Sequence, residues 1–186
     1  MKSASLIQTF SGILIDPINP DPSAINIVDI AHALSNQCRF TGHTREFYSV
    51  AEHSVHVAEL VEPRLKLHAL LHDASEAYLS DIARPVKHSL KLDSYRKVEK
   101  RLQGAVYAAF GLDKKEPEAV KWADDTMLAI EARDLMGATY DDENGYWDKV
   151  LPLYAGHVLR IRRPWSPKKA EQKFLDAFYV LEKEAK

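Results

Sequence analysis

The sequence predicts an all-α bundle with minor strand content near its two ends. Three observations carry that expectation. Apolar residues recur at helical spacing in six stretches, proline and glycine punctuate those stretches where helices begin and end, and strand-like alternation is confined to two short segments. The first of these segments, Ile7 to Ile15, alternates loosely around Ser11-Gly12 and predicts a short hairpin or extended arm, ended by the turn at Pro17, Pro20 and Pro22. Asn26 then offers a helix cap, with Asp29 three residues on and Ile27, Ile30, Ala31 and Leu34 on one face, so a helix is expected over 27–36. After a polar stretch through Gly42, a second helix over about 49–61 places Val50, His53, Val57, Leu60 and Val61 on neighbouring turns, with His53 inward.

Pro63 is suited to the first turn of a third helix that carries Leu67, Leu70 and Leu71 and should run to about Ser80, before Ala83-Arg84-Pro85. Ser94 to Phe110 reads as an amphipathic helix closed by Gly111, and Pro117 opens another that continues through Asp124 to about Met136. Asp141 to Gly145 is a turn-rich acidic loop, and Ser166-Pro167 forms the cap and first position of a last helix with Phe174, Leu175, Phe178 and Leu181 inward. Alternation over Val158 to Arg162 predicts a small strand paired with the N-terminal arm.

Size and composition narrow the function. A chain of 186 residues fits one domain, 1–186, with a substantial core, and 46% hydrophobic with 28% charged residues is ordinary for a soluble globular protein. The net charge of -2 gives no general reason to bind nucleic acid or an anionic membrane, so an anionic ligand must be held locally. No apolar stretch approaches the roughly 20 residues that span a bilayer. With no signal-peptide pattern at the start and a single cysteine, Cys38, which reads as a small core residue, the expected compartment is the cytoplasm.

Chemistry concentrates around His72-Asp73. Together with His53 upstream and the Asp124-Asp125 pair downstream, it supplies the mixed imidazole and carboxylate donors that hold a divalent ion against a phosphate. Imidazole suits zinc, cobalt, manganese and iron, and carboxylates keep such a site open to hard oxygen ligands, magnesium included. Neighbours on a helix diverge by about 100°, so His72 and Asp73 share one ion only if it sits between them near a helix end. Polar groups that are costly to bury follow directly on the apolar run before His72, and Glu76, four residues on, shares its helical face. His68 and His32 read instead as hydrogen-bonded structural histidines.

Ser49-Val50-Ala51-Glu52-His53-Ser54, His72-Asp73-Ala74-Ser75-Glu76 with Asp81 and Pro85-Val86-Lys87, and Lys121-Trp122-Ala123-Asp124 together resemble the HD-domain phosphohydrolases, most nearly the YfbR-like 5'-deoxynucleotidase group, over about residues 39–136. Periodicity does not separate Asp124 from Asp125. The resemblance implies His53, His72, Asp73 and Asp124 as metal ligands, and Glu76 and Asp81 as catalytic carboxylates that orient or activate the attacking water. It further implies Arg39, Phe40 and Lys87 as substrate contacts, Arg39 and Lys87 on phosphate and Phe40 on sugar or base; some nucleotidases have a tryptophan at the Phe40 position. A nucleotide substrate and a homo-oligomer are implied as well. DatZ-type dATP triphosphohydrolases are similar in pattern and size; Arg45, Arg84 and His43 would suit a triphosphate. A metal-stabilised nucleotide-binding module without catalysis is the third reading, against which Glu76 and Asp81 speak. The spacing of a P-loop is absent.

Overall fold

A computed structural model describes residues 6–138, 147–154 and 157–184. The described chain is an α-helical bundle with one two-stranded ribbon: β1 (Ile7–Gln8), β2 (Leu14–Ile15), α1 (Ile27–Asn36), α2 (Val50–Glu59), α3 (Lys66–Leu70), α4 (Glu76–Leu79), α5 (Arg84–Lys87), α6 (Asp93–Ala109), α7 (Glu118–Glu131) and α8 (Pro167–Glu184). The expected acidic loop over 141–145 lies outside the described residues. No helix among them is long and apolar enough to cross a membrane.

The ribbon is antiparallel, Ile7 opposite Ile15 and Gln8 opposite Leu14, and its turn uses Gly12 at φ +86°, a conformation that strains any residue with a side chain. It is fastened to α1 by Asp29, whose two oxygens accept from the Ser11 backbone N–H at 2.6 Å and hydroxyl at 2.7 Å. Asp29 thus serves the hairpin, while the start of α1 is capped by Asn26, whose Oδ1 accepts from Val28 N at 2.9 Å.

Helix α2 is the centre of the packing. It lies against α1, α3, α7 and α8, and Val50, Ala51, His53 and Val57 are fully enclosed. Its first turn is fixed by Ser49, whose hydroxyl accepts from Glu52 N at 3.1 Å. Leu34 of α1, Leu70 of α3, Met127 and Ile130 of α7 and Phe174 of α8 complete the surrounding core. Truncating any one of these to alanine would cost about 2–5 kcal/mol through lost burial and the cavity left behind. The segment before α8 also joins α2: Trp165 N donates to Glu52 Oε2 at 2.7 Å, and the Trp165 ring lies 5.1 Å from that of His56.

Three expectations change in the structure. The single helix expected from Pro63 to Ser80 is divided into α3 and α4 by a turn over 71–75. Here the ladder shifts to shorter bonds, Ala74 N to Leu71 O and Glu76 N to Asp73 O, and the Gln103 side chain of α6 takes over groups that the break releases. Its Oε1 accepts from Ser75 N at 2.9 Å and its Nε2 donates to Leu71 O at 2.7 Å. Val158 to Arg162 forms no strand. Its backbone is held instead by the Arg133-Asp134 pair: Ile161 N donates to Asp134 Oδ2 at 2.8 Å, and Leu159 O accepts from Arg133 Nη2 at 3.0 Å. Cys38 is only half-buried, beside the turn after α1 rather than in the core.

Two backbone details frame the region beyond α4. Ser80 ends the helix at φ 72°, ψ 152°, a region costly for any residue but glycine, immediately before Asp81. Gln37 straddles this bend, donating from Nε2 to Glu76 O at 2.9 Å and accepting at Oε1 from Asp81 N at 3.2 Å. After Glu131, α7 widens into a π turn over Ala132–Met136 and closes at Gly137, φ 69°, where a Cβ would come within 2.5 Å of Arg45 Nη2.

Candidate metal centre

His53 from α2, His72 and Asp73 from the 71–75 turn, and Asp124 from α7 converge in the interior. The Nε2 atoms of His53 and His72 are 3.3 Å apart; Asp73 Oδ2 lies 3.2 Å from His72 Nε2 and 3.8 Å from His53 Nε2. Donor atoms of His53, His72 and Asp73 all fall within 4.8 Å of one another. Asp124 Oδ1 lies 3.3 Å from His53 Nε2 and 3.8 Å from His72 Nε2. Asp125 turns away to Arg84 at 3.1 Å and Lys121 at 2.5 Å, so the geometry separates two carboxylates that periodicity could not.

The donor set fits a divalent ion. Metal–nitrogen distances of about 2.0–2.1 Å put neighbouring ligands of a tetrahedral ion about 3.4 Å apart, inside the observed range. The outward ring nitrogens are also engaged as a ligand requires: His72 Nδ1 donates to Ala69 O at 2.7 Å, and His53 Nδ1 meets Glu131 Oε1 at 2.5 Å. With both Nδ1 atoms protonated, each Nε2 directs a lone pair into the cluster. The break after α3 makes this possible, because the turn lets adjacent residues face one point.

Charge supports the same reading. Burial alone would depress the His72 imidazole, yet Asp73 and Asp124 hold it well above the usual histidine range; against the upward pull of burial, His72 holds Asp73 below the carboxylate range, and His53 and His72 do the same for Asp124. A proton on His72 thus occupies, in electrostatic terms, the place of a cation. Glu116, ahead of α7, is a further carboxylate in this field, raised by burial and then pulled down by His72.

Glu76 is 5% exposed and its Oε2 has no hydrogen-bond partner. Burial, then the charges of Asp73 and Asp81, push its carboxyl well above the usual range. Asp81 is half-buried and also raised, by burial first, while Arg39 pulls the other way.

The expected substrate contacts are arranged differently. Arg39 does not present a free fork: Nε and Nη2 both donate to Glu131 Oε2, at 3.2 and 3.1 Å, and Nη1 lies 3.5 Å from Asp73 Oδ2. Lys87 is bound to Glu99 at 2.6 Å and stands 3.7 Å from Glu76 Oε1. Phe40 is half-buried at φ 52°, its ring 5.6 Å from the Arg39 guanidinium carbon, and Thr41 after it is also left-handed, so this segment carries backbone strain beside the cluster. Among the triphosphate-suited cations, Arg84 is paired with Asp125, whereas Arg45 and His43 are exposed. His68 and His32 are structural, the first bonded to Asp113 O at 3.0 Å, the second 3.3 Å from Glu171.

Glu131, Gln103 and Gln37 are absent from the residues the sequence singles out. The available signal for Glu131 was its spacing of seven from Asp124, two turns along one helix face. The glutamines act through backbone groups that come together only in the folded chain.

No family model matches the chain. "Uncharacterized protein YfdR" of Escherichia coli (strain K12) is 41% identical over 167 residues, which span 83% of this chain and 89% of that protein. "Uncharacterized protein RCAP_rcc00048" of Rhodobacter capsulatus is 37% identical over 171 residues, 84% of this chain and 87% of the relative. Identity at this level over nearly the whole of both relatives means that the chain belongs to the family of YfdR and RCAP_rcc00048.

Proposed function

We propose that this protein is a divalent-metal-dependent phosphohydrolase that releases phosphate from (deoxy)nucleoside 5'-monophosphates. The observation that carries the reading is the convergence of two histidine Nε2 atoms with Asp73 and Asp124 oxygens beside Glu76, whose buried Oε2 lacks a partner. The HD-domain resemblance of the same residues supplies the reaction and substrate class. A divalent ion held there supplies Lewis-acid polarisation of a phosphoryl oxygen and of water.

The chain's own groups divide the rest. Glu76, nearest in sequence to the ligand turn, orients the attacking water through its unpartnered oxygen. Asp81, held by the Gln37 bridge at the strained Ser80 bend, adds a second carboxylate whose charge acts on Glu76. Lys87, anchored by Glu99, sets one positive charge beside Glu76 to offset charge on the transferring phosphoryl group. Enclosure of His53 and His72 keeps bulk water from competing with these contacts.

Engagement of Arg39, Lys87 and Arg84 by carboxylates favours a monophosphate over a triphosphate, since few cations remain to neutralise a longer anionic tail. The test is turnover of metal-reconstituted protein on deoxy- and ribonucleoside mono- and triphosphates, resolved by chromatography, with His72→Ala and Glu76→Gln as controls. Nucleoside plus orthophosphate from monophosphates is expected, with Glu76→Gln slower by about 10²–10⁴-fold. Nucleoside plus tripolyphosphate would replace the reading by a triphosphohydrolase, and no turnover sensitive to His72→Ala would leave a nucleotide-binding module.

A further inference from the structure

We infer that Glu131 and Arg39 form one buried positioning unit that prepares the metal centre, with Glu131 fixing the orientation and tautomer of His53 and Arg39 tying that support to Asp73. The inference rests on the metal-binding part of the reading above and not on hydrolysis.

Glu131 is fully enclosed, and its two carboxylate oxygens are held by His53 and Arg39. Oε1 accepts a hydrogen bond from His53 Nδ1 at 2.5 Å, and Oε2 accepts two N–H groups from the edge of the Arg39 guanidinium. A buried carboxylate needs such compensation, because an ion removed from water without a partner costs several kcal/mol. Here the compensation is directional. A neutral histidine whose Nδ1 donates to a carboxylate leaves Nε2 bare, and that is the atom 3.3 Å from His72 Nε2 and 3.3 Å from Asp124 Oδ1.

Arg39 carries the link to the other ligand segment. With Nε and Nη2 committed to Glu131, the remaining Nη1 lies 3.5 Å from Asp73 Oδ2, the oxygen that faces both histidines. The unit therefore runs from His53 on α2, through Glu131 on α7, to Asp73 in the 71–75 turn. Arg39 itself is fixed at the backbone, where its N–H donates to Tyr48 O at 2.9 Å. Three segments distant in sequence thus meet at the metal position through two side chains that do not ligate it. A guanidinium serves here better than an ammonium, because its rigid fork can hold one carboxylate by two bonds and still address a second.

The test uses the full-length protein stripped of metal and titrated with Co(II) and Zn(II), read by the cobalt absorption bands and by competition with a chelator of known affinity. Glu131→Gln is expected to weaken metal binding by about 10–100-fold, Arg39→Gln less, and Glu131→Asp to restore part of the loss. The double variant should be no weaker than the worse single one, since the two residues act as a unit. Long-range ¹⁵N–¹H spectra of the imidazoles supply a second readout independent of activity. In the metal-free native protein His53 should be protonated at Nδ1, and in Glu131→Gln its tautomer should become mixed. His72→Ala separates the two levels of the argument: it should abolish binding. If it does so while Glu131→Gln and Arg39→Gln bind within about twofold of native with His53 unchanged, the positioning unit is refuted and the metal centre stands. If His72→Ala also binds normally, the metal centre itself is misplaced, and the inference falls with it. Should Glu131→Gln fail to fold, Glu131→Asp and Arg39→Lys carry the same comparison.

Discussion

His56 lies one helical turn beyond His53, at the point where the segment leading into α8 meets α2. Its side chain is 13% exposed, with Nδ1 3.3 Å from Glu59 Oε2, Nε2 3.7 Å from the enclosed Glu52 Oε1, and the Trp165 ring alongside. Burial acts to lower its pKa, but the attraction of the Glu52 and Glu59 carboxylates outweighs it and brings the imidazole up from 6.5 to about 9. The folded state therefore holds a proton that the unfolded chain releases near pH 6.5. The resulting stability is fully present below that pH and is lost as the pH rises through about 9. A separation of this size is worth at most about 3 kcal/mol, a large share of a small domain's stability. Urea unfolding of the native protein and His56→Gln at roughly pH 6 and roughly pH 9.5 isolates the contribution, because every other titrating group is common to both. The native protein should lose up to about 3 kcal/mol more than the variant over this interval. Loss curves that run parallel to within about 0.5 kcal/mol would refute the account of a proton clamped between Glu52 and Glu59.

Other consequences concern the ligand turn and its surroundings. Gln103→Ala leaves Ser75 N–H and Leu71 C=O without their partner, at about 1–3 kcal/mol for each buried group; thermal unfolding should fall accordingly, and cobalt affinity should fall with it because the turn carries His72 and Asp73. Asp124→Ala should abolish cobalt binding in a direct titration, whereas Asp125→Ala, which loses only its contacts to Arg84 and Lys121, should retain it; equal loss in both would overturn the assignment. Ser80→Gly should raise the midpoint of denaturant unfolding by up to about 1 kcal/mol equivalent, since glycine accepts φ 72°, ψ 152° without side-chain strain, and a destabilised variant would show that this bend is held by contacts of the serine itself.

Much of the fold was legible because local signals and packing agree. Asn26 and Ser49 cap the helices their positions predict, Gly12 turns the hairpin, Pro167 opens α8, and the apolar faces of α1, α2 and α8 point inward as their spacing requires. The region after Pro63 was not, since its apolar periodicity is unbroken and the side chain that satisfies the groups released at the break, Gln103, lies about thirty residues away on α6. Val158 to Arg162 misled for a related reason: alternation states which residues face inward, but not whether a strand or a pair such as Arg133-Asp134 takes the backbone hydrogen bonds. At the site, a pattern of residue types brought His53, His72, Asp73 and the Asp124-Asp125 pair into view, and the resemblance selected Asp124. Arg39 shows what such a pattern omits, because its nearest partner, Glu131, is ninety-two positions distant, and a guanidinium committed there cannot be told from a free one by sequence.

The widened turn that follows Glu131 sets a boundary on what the chain can tolerate. Up to that residue α7 is a stiff ruler on which Asp124 and Glu131 are two marks, and an insertion between them would swing one mark about 100° from the other and out of reach of His53. Beyond it, the looser turn over Ala132–Met136 and the reversal at Gly137 take up changes of length before they reach the ruler. Loops added or removed after Gly137 would thus leave the spacing of Asp124 and Glu131 untouched, which makes this turn a mechanical stop for the centre.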